Sequence, residues 1–233
     1  MKRLTLLTLV FATTFAIFFI APVFLGKPFT PYPLIKISDV FDLLTPLVLI
    51  PLYWLMFQAA SAEPPKVRET IIFLVLAAFW VEGHGMHLSA NSIDHWLKGV
   101  EGTNIYNVTY FYDEVFGHYL WHFGVIGLST LIIFRQWQNP LFEGNATHWL
   151  TVLCGVIHGF TFFLIADEGQ TVPMSFPFAI AIMLFGLIWG RKKFGQQPLL
   201  LFFFVAYVVA TLFLTGWGIY WGGWPEFGKV WKI

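Results

Sequence analysis

The chain has 233 residues, 58% of them hydrophobic, 20% aromatic and 11% charged, with thirteen basic side chains cancelling thirteen acidic ones. That is about half the charged fraction of a soluble domain, so a water-soluble globule is excluded, and the lack of any basic block or tail leaves nothing built for nucleic acid. A single cysteine, Cys154, rules out an internal disulfide and any multi-cysteine zinc or iron–sulfur centre.

A membrane-crossing helix needs about 20 apolar residues, and seven stretches qualify. The first, residues 4–25, follows Lys2 and Arg3; its apolar run is too long for a signal-peptide core and reads as a retained span. The second, residues 40–60, is interrupted by Pro46 and Pro51, and Ser38 with Asp39 suits its start. The third covers residues 71–91. The fourth runs from Tyr106 to Phe134 and is most apolar after Val115. The fifth, sixth and seventh cover residues 148–166, 176–189 and 199–220, and the aromatic stretch from Trp217 to Trp231 reads as an interfacial anchor. The connecting segments carry Pro, Gly and charge, and no repeat or soluble domain interrupts the series. The expected fold is therefore all-α: one polytopic bundle of seven transmembrane helices over residues 1–233. No β-sheet is expected, because an open sheet edge is unsatisfied in lipid.

Lys and Arg in the connections set the orientation. With the N-terminus inside, Lys2, Arg3, Lys66, Arg68, Arg135, Arg191, Lys192 and Lys193 fall on the inner side; Lys27, Lys36, Lys98, Lys229 and Lys232 fall outside. Eight against five predicts a multi-pass protein of the cell membrane, N-terminus cytoplasmic and C-terminus outside.

Five of the seven histidines lie within spans, where ionisable groups are costly and usually line a cavity, bind something or pair with one another. The third span carries Glu82, His84, His87 and Asn91 in its second half; the fourth carries Asp113, Glu114, His118 and His122 in its first half; the fifth carries His158 just past its middle. Because successive spans alternate in direction, all of these, with Asp39 and Asp42, fall toward one membrane face. Glu114, His118 and His122 are spaced by four and form one helical stripe; His84, His87 and Asn91 form another, while Glu82 points elsewhere. Gly83, Gly85, Gly117 and Gly159 flank the histidines and permit close helix approach. His95 and His148 sit at span ends and read as solvated.

Imidazoles with carboxylates and no thiolates suit zinc or iron, as one or two ions. The expected site therefore has His84, His87, His118, His122 and His158 as metal ligands, with Glu114 and Asp113 as catalytic acid–base groups. Lying in the membrane, it is expected to act on a lipid or other apolar substrate drawn from the bilayer, by hydrolysis ahead of di-iron oxidation. Two other classes fit the same residues: a proton or metal transporter, and a haem or quinone electron-transfer protein. Seven spans with His118-x-x-x-His122 resemble the ceramidase- and progestin-receptor-like membrane zinc hydrolases in count and spacing alone. Their Ser-x-x-x-His is absent here and their histidine pair lies on the last span, so no residue roles are carried over. His-Glu-x-x-His and His-x-x-His-His are absent too.

Overall fold

A backbone in lipid can satisfy its N–H and C=O groups only within itself, and the apolar runs accordingly fold as helices. A computed structural model of the chain describes residues 2–94, 96–139, 141 and 148–231. Helix α1 (Lys2–Ile20) continues into a 3₁₀ turn, Ala21–Phe24, with Pro22 near its start. Helices α2 (Ile37–Ala59) and α3 (Val67–Asp94) follow. The fourth span has three parts: α4 (Asn104–Tyr110), a π-helical stretch (Phe111–Gly117) and α5 (His118–Gln138). Then come α6 (His148–Glu168), α7 (Val172–Phe185) with a π turn at Gly186–Gly190, α8 (Pro198–Trp221) and the short α9 (Phe227–Trp231). Among the described residues, seven helices are long and apolar enough to cross a membrane. The architecture is an all-α polytopic bundle.

Three details depart from the sequence expectation. Residues Pro28–Phe29 (β1) and Tyr32–Lys36 (β2) form a small antiparallel hairpin between the first two spans, with a register irregularity between Pro28 and Phe29. It lies in a connection, where water can satisfy its edges. Pro46 and Pro51 do not interrupt α2, which runs through both; spanning helices tolerate proline because neighbouring helices and local adjustment serve the freed carbonyls. Arg135 is a buried anchor instead of a free loop cation. Its Nε donates to the Phe57 carbonyl at 3.1 Å, one terminal nitrogen pairs with Glu69 at 2.5 Å, the other donates to the Glu63 carbonyl, and the guanidinium lies over the Phe57 ring.

The bundle packs most closely where α6 meets α8 and where α3 meets the fourth span. Its core is strongly aromatic: Phe11, Phe15, Tyr53, Phe57, Trp80, Phe162, Phe202, Phe203 and Tyr207 are fully buried. At the Arg135 end, Gln136 Oε1 accepts from the Leu200 N–H at 2.9 Å and Gln197 Nε2 donates to the Gln136 carbonyl at 3.1 Å, so buried polar groups lock α5 to the start of α8. The opposite end holds His84, His87, His118 and His122.

A Cβ placed on Gly159 would lie 2.1 Å from the Ala206 carbonyl oxygen of α8, whereas one on Gly85 meets nothing within 4 Å. Gly159→Ala is therefore expected to destabilise the bundle by about 1–3 kcal/mol through overpacking, and Gly85→Ala to leave it unchanged or slightly firmer. Thermal melting of both variants in the same detergent checks this; equal melting temperatures would contradict the close α6–α8 contact.

Candidate active-site cavity

Two glycines determine how near the histidine-bearing spans come. A Cβ on Gly83 of α3 would stand 2.4 Å from the Trp121 nitrogen and 2.7 Å from the Gly117 carbonyl; one on Gly117 would stand 3.0 Å from the His87 nitrogen. The backbones of α3 and the fourth span thus touch, as small residues allow in membranes. The contact brings His84 and His87 against His118 and His122, with the buried Trp121 between them. Ring centroids are 4.3 Å apart for His87 and His118, 6.2 Å for His84 and His87, 5.8 Å for His84 and Trp121, and 3.7 Å for Trp121 and His122.

The carboxylates come from the π-helical stretch. Buried Asp113 sets Oδ1 2.7 Å from Nδ1 of His87, within ion-pair reach though off the line of a well-formed hydrogen bond. Glu114 is half-buried and sets Oε2 3.6 Å from Nδ1 of His118. His84 Nε2 meets the Asp42 backbone carbonyl at 3.0 Å, and His122 Nδ1 meets the His118 carbonyl at 3.0 Å. On the far side of each ring, Nδ1 of His84 and Nε2 of His122 are buried without a well-formed hydrogen bond.

These groups border a cavity of about 1170 Å³, whose wall includes Asp42, His84, His87, Glu114, His118, Trp121, Glu168, Trp217 and Glu226. The rest of the wall is mainly apolar, from Phe19, Ile20 and Val23 at the end of the first span to Phe160, Phe163 and Leu164 of α6 and Leu212 and Phe213 of α8. One end of the cavity is therefore ionisable and the remainder is greasy.

The sequence-expected residues divide accordingly. His84, His87, Glu114 and His118 line the cavity; Asp113 holds His87 from behind, and His122 sits just outside the wall beside Trp121. His158 stands apart. Its fully buried ring is boxed by Phe11, Phe15, Phe202 and Phe203 at centroid distances of 5.3, 4.4, 5.2 and 6.0 Å, and neither nitrogen has a hydrogen-bond partner among the described residues. Its helical position gave its depth but not its rotation, and it faces α1 and α8 instead of the fourth span. Among the described residues no set of three or more His, Cys, Asp or Glu side chains is arranged to hold a metal ion. His95 and the His148 side chain lie outside the described residues.

Several wall residues lie outside the expected ligand and acid–base set. Asp39 does cap α2, accepting from the Lys36 N–H at 2.8 Å, but its neighbour Asp42 reaches the cavity. Glu168 ends α6 and accepts the Phe227 N–H at 2.9 Å, drawing the C-terminal segment over the site. Phe227 packs on Trp217 and Phe163 at 4.7 and 5.5 Å, so the aromatic C-terminus forms wall as well as anchor. The spacing of Asp42 three residues after Asp39, one helical turn on, was the available signal; nothing local marked Glu226.

Searches against family models, characterised proteins and solved structures return no match for this chain. Fold and site together define its class: a seven-helix membrane bundle with a histidine–carboxylate cavity at one end.

Replacing one partner of the His87–Asp113 contact leaves the other buried alone, so Asp113→Asn and His87→Gln should each lower stability and their effects should not add. A coupling of roughly 0.5–3 kcal/mol is expected from a double-mutant cycle by denaturant titration in detergent; simple additivity would show that the 2.7 Å contact stabilises nothing. For His158, two unmade hydrogen bonds each cost about 1–3 kcal/mol, and the ring fills an aromatic box. His158→Phe is accordingly expected to match or exceed wild-type melting temperature, and a large loss would mean that the imidazole has a partner.

Proposed function

We propose that the chain is an integral membrane enzyme that takes a lipid or other apolar molecule from the bilayer into the cavity and acts on it with the histidine–carboxylate cluster, hydrolysis being the favoured reaction. The observation that carries this reading is the cavity wall, ionisable at one end and apolar over the rest, with a volume of about 1170 Å³ that suits a long apolar ligand. His118 is the general base and Glu114, 3.6 Å away, orients the ring and stabilises its protonated form. His87 with Asp113 forms a second proton-handling pair. The described wall contains no Ser, Thr, Cys or Lys, so the nucleophile in this scheme is water.

A second form of the same reading adds a transition metal, zinc or iron. It is favoured by the buried nitrogens on His84 and His122 that lack well-formed hydrogen bonds, since a buried polar atom without a partner calls for an explanation. His84, His118 and His122, with His87 or Glu114, are the side chains that would hold such an ion, and a bound ion would acidify a water. Transport is disfavoured because the cavity's polar groups gather at one end of the bundle while Arg135, Gln136 and Gln197 tie up the other. Axial haem ligation by His158 is disfavoured by its closed phenylalanine box. The excess of Lys and Arg on the inner loops places the site in the outer half of the cell membrane in this proposal.

Lipid extracts from cells expressing wild-type protein, Glu114→Gln and His118→Ala, compared by mass spectrometry, test the proposal. Wild type should deplete one lipid species and accumulate its product, and both variants should lose at least about a hundredfold of that conversion, the usual weight of a general acid–base group. Lipid profiles identical across all three would end the enzyme reading. Metal content of chelator-free preparations separates the two forms: a stoichiometric metal lost in His118→Ala supports the metal form, and a metal-free active protein leaves the direct acid–base form.

A further inference from the structure

Histidine aside, the charged side chains of the cavity wall are all acidic. Asp42, Glu114, Glu168 and Glu226 border it, and among the described wall residues there is no Lys or Arg. The nearest lysine on the C-terminal segment, Lys229, is committed: its Nζ donates to Glu226 Oε1 at 2.5 Å, and that bond pushes its pKa above the ordinary lysine value. This pairing offsets Glu226 and leaves Asp42, Glu114 and Glu168 without a Lys or Arg partner among the described residues; Glu114 faces His118 at 3.6 Å and Glu168 takes a backbone N–H. The same wall holds His84, only 3% exposed, with Nδ1 unpartnered, so the site lacks a polar partner as well as a cation. Trp121, Trp217 and Tyr220 add aromatic rings to the wall, which favour a cation over an anion.

Burying an uncompensated charge in an apolar site is expensive, and like charges brought together add to the cost. A phosphate drawn in by its tail would meet carboxylates with no Lys or Arg to pair it, and histidines already turned to Asp113 and Glu114. An ammonium would find carboxylates along the wall to pair with. The tail's route is also visible. Val23, Leu212 and Tyr220, which edge the cavity, are 64%, 66% and 77% exposed, so it opens between the end of the first span and α8 on a surface that lipid would cover.

We infer that the cavity selects a single-chain amphiphile whose polar end is an amine, and rejects one whose polar end is a phosphate. The inference rests on the cavity being the substrate site proposed above and names the class of head group that site accepts.

The full-length protein in nanodiscs of zwitterionic lipid provides the test, with dodecylammonium, dodecanol and dodecyl phosphate as probes. Quenching of tryptophan emission reports binding, because Trp121 and Trp217 line the cavity. Gly216→Phe, which fills the wall of α8, serves as the blocked reference that corrects for partition into the bilayer. Dodecylammonium should bind the unblocked protein at least about tenfold more tightly than dodecyl phosphate, a difference of about 1.4 kcal/mol, with dodecanol between them. The preference should shrink in Asp42→Asn/Glu168→Gln and, as an independent check outside the spans, in Glu226→Gln. Saturable binding with no head-group preference, or with phosphate preferred, overturns this inference and leaves the cavity reading standing. A preference that survives neutralisation of the carboxylates also overturns it. No saturable binding of any probe beyond the blocked reference overturns both.

Discussion

The contact between bare backbone at Gly83 and Gly117 sets the distance between the histidines of α3 and those of the fourth span. Helices in lipid gain little from hydrophobic association and depend on close packing; here the approach is so tight that a Cβ on Gly83 would fall 2.4 Å from the Trp121 nitrogen. Move the fourth span outward by the width of a methyl group and His87 no longer reaches Asp113, the His87 and His118 rings separate, and the cavity loses its ionisable end. The aromatic core behind, with Tyr53 sharing a hydrogen bond with Ser129 at 3.1 Å, gives that contact something rigid to rest on. Packing of small residues therefore comes first, and the acid–base chemistry proposed for the site depends on it.

The two ends of the bundle solve opposite problems. At the Arg135 end the guanidinium is answered by Phe57, Glu63 and Glu69, and Gln136 Oε1 and its carbonyl by Leu200 and Gln197, although Gln136 Nε2 and Gln197 Oε1 have no partner among the described residues. At the histidine end His84 Nδ1 lacks a well-formed partner, while His122, whose Nε2 is out of line for a hydrogen bond, has the Ile165 carbonyl nearby. Unmade hydrogen bonds of this kind cost stability. At the histidine end that cost falls on a cavity wall, at His84, where a ligand could relieve it.

Much of this was legible in the sequence, for identifiable reasons. Seven spans follow from the length of the apolar runs, and the gathering of His84, His87, Asp113, Glu114 and His118 at one end follows from alternating direction along the chain. What failed was rotation about the helix axis. His158 lies at the right depth on α6, yet it turns toward Phe15 and Phe202, because depth is set by position along the helix while facing is set by which neighbours pack against it. The same blindness hid Glu168 and Glu226, whose roles depend on the C-terminal segment folding back, a long-range event with no local pattern. Pro46 and Pro51 misled in the other direction, since rules learned in water overstate how far proline breaks a helix in lipid.

The π-helical stretch at Phe111–Gly117 has a consequence of its own. A regular α-helix turns consecutive side chains about 100° apart, so Asp113 and Glu114 could not easily serve neighbouring histidines at once. The wider turn reduces that angle and lets one carboxylate meet His87 while the next meets His118. The pair is therefore aimed by a register defect inside a span, with no loop involved. Such a defect is held in place only by the side chains around it, and if it migrated one turn along the span, both carboxylates would swing off their histidines together while the ends of the helix stayed where they are.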